Sequence, residues 1–84
     1  MKHAGAAALH RLEGLLQELR SRPSLQERKP GIFYHKSKAF LHFHEDPDGL
    51  YADLKGAAGF DRFPVNSAAE RRLLLDRIDA RIAA

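Results

Sequence analysis

The stretch AFLHFHEDPDGLYADLK, residues 39–55, decides the fold. Successive side chains of an extended strand point to opposite faces, so Ala39, Leu41 and Phe43 fall on one face and Phe40, His42 and His44 on the other. Glu45-Asp46-Pro47-Asp48-Gly49 then reads as a turn, because Pro presets φ and Gly accepts a positive φ. Beyond it Leu50, Ala52 and Leu54 alternate with Tyr51, Asp53 and Lys55. The two apolar sets must share a face, or one of them meets water. Pairing Phe43 with Ala52 and Leu41 with Leu54 satisfies that condition. It also sets His42 opposite Asp53 and His44 opposite Tyr51.

Working outward, residues 32–36 are β-rich, which predicts strands at 32–36, 39–44 and 50–55. The turn around Ser37-Lys38 contains neither Asn-Gly nor Gly, so the first hairpin's register stays open by one or two residues. Gly56-Ala57-Ala58-Gly59 reads as a flexible loop. A short edge strand at 60–65, where Pro64 is tolerated, makes a fourth strand the alternative to three. At the N-terminal end, Leu9, Leu12, Leu16 and Leu19 recur at helical spacing, which predicts one helix over residues 3–21, ended by Pro23. Residues 23–31 are polar, carry a proline near each end and read as a connection. At the C-terminal end, Ser67-Ala68-Ala69-Glu70 has the form of a capping box and predicts a helix over 68–83. The expected fold is a single α+β domain spanning residues 1–84. It is a two-layer sandwich with both helices on one face of a three- or four-stranded antiparallel meander.

Composition agrees with an ordinary globular domain: 84 residues, 44% hydrophobic and 30% charged. With no cysteine, a disulfide framework, a thiolate metal site and a cysteine nucleophile are all excluded. The apolar run at residues 4–9 is shorter than a secretory core, and nothing approaches a membrane span. The expectation is a cytoplasmic protein with no membrane association and no cofactor. Fourteen basic side chains face eleven acidic ones, a formal charge of +3. Arg20, Arg22, Arg28, Lys29, Lys36 and Lys38 form a basic half, broken only by Glu27. Glu45, Asp46, Asp48 and Asp53 form an acidic one. Such a dipole steers a charged partner, or is merely two solvated segments of opposite sign.

Residues 31–54, GIFYHKSKAFLHFHEDPDGLYADL, resemble the central meander of the MmcQ/YjbR-like family, whose strands are joined by a short basic turn and an acidic Pro/Gly turn. Ser37-Lys38 departs from the family's Gly-Lys turn. The resemblance implies a frataxin-like α+β fold and a nucleic-acid-binding role, by analogy of fold alone. The His42-x-His44 pair is also similar to one in a small group labelled luciferase-domain proteins.

Two chemistries compete on the polar sheet face. His42, His44 and Asp53 offer two imidazoles and a carboxylate to a divalent metal, with His35 joining if the register allows; the plain alternative is a cross-strand His–Asp pair. Arg28, Lys29, Lys36 and Lys38 flank Phe33, Tyr34 and Phe40, the mixture of charge and interleaved rings used for single-stranded nucleic acid; the plain alternative is rings that fill the core and bases that solvate the strand end. His3 and His10, seven apart on the expected helix, read as solvated surface. No serine lies in a nucleophile motif, and Ser67 is a cap. The expected function is a non-catalytic binding module for nucleic acid or a protein partner, acting through Lys36, Lys38, Phe40, His42, His44, Tyr51 and Asp53. A metal site at His42, His44 and Asp53 is the alternative. Homodimerisation through Phe40, His44 and Tyr51, or through a free edge strand, is the third class.

Overall fold

The computed structural model describes residues Met1–Ala84. The elements run β1 (Lys2–His3), α1 (Ala6–Arg11), α2 (Glu13–Arg20), β2 (Leu25–Lys29), β3 (Ile32–His35), β4 (Lys38–Asp46), β5 (Gly49–Gly56), β6 (Gly59–Pro64) and α3 (Ala68–Ala83). The sheet is antiparallel throughout, in the order β2-β3-β4-β5-β6, with β1 added to β4 beyond the end of β3. All three helices pack on one face, giving the two-layer α+β sandwich. Leu12, Leu15, Leu16 and Leu19 from the first helical stretch and Leu74, Leu75 and Ile78 from α3 meet Phe33, Leu41, Phe43, Ala52 and Leu54 from the sheet. Each fully buried Leu, Ile or Phe contributes roughly 1.5–3 kcal/mol, so this face carries most of the stability.

The central hairpin has the register that alternation demands: Leu41 opposite Leu54, His42 opposite Asp53, Phe43 opposite Ala52 and His44 opposite Tyr51. Strand β6 runs along β5 as the expected edge, ending at Pro64. Helix α3 starts at the capping box, with the Ser67 hydroxyl accepting from the Glu70 amide and the Glu70 carboxylate accepting from the Ser67 amide.

Four expectations need correction. The N-terminal helix begins at Ala6 rather than at residue 3, because Lys2 and His3 pair with Glu45 and His44. It is also divided at Leu12, whose amide donates to the Leu9 carbonyl, three residues back, and tightens the turn. Residues 23–31 contain β2, closed onto β3 by Pro30-Gly31 with Gly31 at φ +76°. Only Leu25 of this strand is buried, so no alternation marks it. Gly56-Ala57-Ala58-Gly59 is a two-residue hairpin turn rather than a flexible loop, with Gly56 opposite Gly59.

The fourth correction concerns Phe40. The pairing of β3 with β4 shifts between Phe33 and Tyr34, so that Tyr34 faces Ala39 and Phe33 faces Leu41. The residue left over is Phe40, and such a bulge breaks strict alternation. Phe40 therefore joins the hydrophobic core at 6% exposure, while Ala39 is exposed.

Candidate functional site

The sheet face away from the helices carries no covering element, yet two of its polar residues are buried: His44 at 8% and Asp53 at 7% exposure. Neighbouring strands bury them. Asp53 on β5 lies opposite Arg62 on β6 and accepts a bidentate pair of hydrogen bonds, 2.8 Å from Nε and 2.8 Å from Nη2. The guanidinium holds the Asp53 carboxyl well below the usual carboxylate range. Asp53 Oδ2 also lies 3.2 Å from Nε2 of His44. That nitrogen is 2.9 Å from Nδ1 of the half-buried His42.

These contacts assign the His44 tautomer. An ionised carboxylate only accepts, so Nε2 carries the proton toward Asp53. The other ring nitrogen of His44 is Nδ1. It is the one buried side-chain nitrogen or oxygen in the molecule without a hydrogen-bond partner. A buried polar atom left unsatisfied costs about 1–3 kcal/mol.

The third imidazole comes from His3. Strand β1 sets His3 directly opposite His44, and residues opposite one another across a ladder share a face. Its ring centroid lies 4.7 Å from that of His44 and 5.6 Å from that of His42. One ring nitrogen from each of His3, His42 and His44 falls within 4.8 Å of the others. Burial, followed by the nearby His44, pushes the His42 imidazole below its ordinary value, so it favours the neutral form that binds cations. Phe60 packs on His42 with centroids 4.9 Å apart and closes that side.

Strand β1 is itself secured by Glu45. Its carboxylate accepts from the Gly5 amide at 3.0 Å and pairs with Lys2 at 3.2 Å. The Ala4 amide donates to the Phe43 carbonyl at 3.0 Å.

The surface expected from the sequence therefore divides in two. His42, His44 and Asp53 do come together, with Tyr51 in the adjoining row, where its hydroxyl donates to Asp48 at 3.1 Å. Asp53 is committed to Arg62, and His3 takes the third place in the cluster. Lys36, Lys38 and Phe40 lie at the other end of β4, around a separate cleft that His35 also lines. Phe40 and His44 are too buried to offer a dimer face. Sequence reasoning missed Arg62 and His3. Arg62 becomes legible once the Gly-Ala-Ala-Gly turn is counted as two residues. His3 carries no local signal, because a two-residue strand has no period. No helix of the structure is long and apolar enough to cross a membrane.

A scan against protein-family models, a search of curated proteins and a search of solved structures each find no match for the chain.

Proposed function

We propose that this domain binds a divalent transition-metal ion through His3, His42 and His44. The observation that carries the reading is the convergence of three imidazoles from two strands, one ring nitrogen of each within reach of the others. Zinc–imidazole bonds of about 2.0–2.1 Å in a tetrahedral site place ligand nitrogens about 3.3 Å apart. The three nitrogens already stand within 4.8 Å of one another, so small rotations of the rings suffice. An all-imidazole set suits Zn²⁺, Cu²⁺, Ni²⁺ or Fe²⁺ and leaves a position for water or an anion. Asp53, fixed by Arg62, orients the His44 ring, the part an outer carboxylate plays at many metal sites.

Calorimetric titration with Zn²⁺, and the visible spectrum with Co²⁺, test the proposal. One equivalent should bind, with a tetrahedral cobalt spectrum, and moderate salt should leave the affinity nearly unchanged. His3→Ala, His42→Ala and His44→Ala should each weaken binding at least roughly tenfold. Binding that is absent at millimolar zinc, or indifferent to His42→Ala, would overturn it.

A further inference from the structure

The second concavity is independent of the histidines. A cleft of about 390 Å³ opens between the β3–β4 turn, the β5–β6 turn and the last turn of α3. His35, Lys36, Lys38, Phe40, Lys55 and Arg81 line it, and no carboxylate side chain does. Its size falls in the range of about 300–1,000 Å³ typical of small-molecule sites.

Three observations point to the same kind of occupant. First, Lys36, Lys38 and Lys55 take part in none of the molecule's ion pairs. Like charges gathered around one concavity with no Asp or Glu in its lining repel each other, and an entering anion relieves that repulsion. The C-terminal end of α3, with Ala84 in the lining, offsets only part of this. Second, the wall is built before any ligand arrives. Arg81 donates to the carbonyls of Leu54 and Lys55 at 3.3 and 2.8 Å and to Asp61 at 2.8 Å, which ties the β5–β6 hairpin to α3. Third, the turn that presents Lys36 and Lys38 is strained. Lys36 and Ser37 stand at φ +52° and +66° in succession, with no Gly or Asn. Left-handed backbone costs an L-residue about 1–2 kcal/mol, and such strain collects at binding sites.

The remaining basic residues do not extend this site into a track for a nucleic-acid strand. Arg28 and Lys29 end β2, where Lys29 pairs with Ile32 at the start of β3, roughly 13 Å along the strand from Lys36 at about 3.3 Å per residue. Arg20 is held by Glu13 and Glu27, and Arg22 by Asp79. We infer that the cleft binds a small phosphorylated molecule of pyrophosphate or nucleotide size, its phosphate oxygens taken by Lys36, Lys38 and Lys55.

Amide-resolved NMR titrations with pyrophosphate, with ADP and with a ten-residue oligothymidine provide the test. Pyrophosphate or ADP should give saturable shifts at residues 35–40 and 55–57. A double Lys36→Gln, Lys38→Gln variant should weaken binding at least roughly tenfold, whereas Lys29→Ala should not change it. A response to pyrophosphate alone makes the site one for phosphate groups; a stronger response to ADP adds the nucleoside. The inference is overturned if neither small anion saturates by about ten millimolar. It is also overturned if the shifts centre on Arg28 and Lys29, or if the oligonucleotide binds and the small anions do not.

Discussion

Two residues with positive φ respond to substitution in opposite directions, and together they test the turn geometry. Ser37 stands at φ +66° with a side chain that gains nothing from the conformation. Ser37→Gly removes a strain of about 1–2 kcal/mol, less the entropy that glycine adds to the unfolded chain, and should raise stability by about 0.5–1 kcal/mol. Gly31 is the reverse case. Its φ is +76°, and an added Cβ would lie 2.7 Å from Cδ2 of Leu9. Leu9 is only partly buried and the end of its side chain can shift, so the left-handed backbone sets the larger part of the cost. Gly31→Ala should therefore destabilise the fold by roughly 1–3 kcal/mol. Urea denaturation of both variants settles the pair; equal and small effects would mean that neither backbone is left-handed in solution. The first hairpin's register was illegible in the sequence for this reason. A primed turn is recognised by its glycine or asparagine, and Lys36-Ser37 adopts the conformation without either.

At the level of elements, legibility follows burial on two sides. The β4–β5 register could be read because Leu41, Phe43, Ala52 and Leu54 all face the helices, so a slip by one residue would expose them. The capping box read α3 equally well. Strand β2 escaped because an edge strand with polar side chains looks like a loop. Strand β1 escaped because its two residues are placed by their partner strand alone, and with it went one ligand of the candidate site. Alternation alone places Asp53 opposite His42, whereas its pairing with Arg62 depends on the neighbouring hairpin. The dependence on β1 is testable without altering any imidazole. Glu45 joins this strand to the sheet through Lys2 and the Gly5 amide, contacts that also lower its carboxyl below the ordinary range, the amide first. Glu45→Ala should speed hydrogen exchange at the Ala4 amide and weaken zinc binding, while amides of β5 keep their protection. Unchanged exchange at Ala4 would show that backbone pairing alone holds β1.

For the whole molecule, protons and metal compete for one cluster, which fixes how stability depends on pH. The folded state holds the His42 imidazole below its ordinary value of 6.5, chiefly by burial, and the Asp53 carboxyl below 3.8, chiefly through Arg62. In both cases the unfolded chain binds more protons across the interval between the folded and unfolded values, so stability rises with pH there. The contribution of His42 is fully present above 6.5 and is lost as pH falls through its depressed folded value. The contribution of Asp53 is present above 3.8 and is lost at still lower pH. Acid should thus weaken the metal-free protein in two stages, histidine first. Zinc adds a linked term: an ion that binds only the folded state at a hundred times its dissociation constant stabilises by about 2.7 kcal/mol. Binding of the same ion to imidazole is opposed by protons as pH falls. Zinc should therefore raise the melting temperature clearly at pH 7.5 and much less at pH 5, and His44→Ala should abolish the increase at both. A zinc-induced increase that persists undiminished at pH 5, or survives His44→Ala, would place the ion on carboxylates elsewhere and leave the three histidines as a cluster of packed rings.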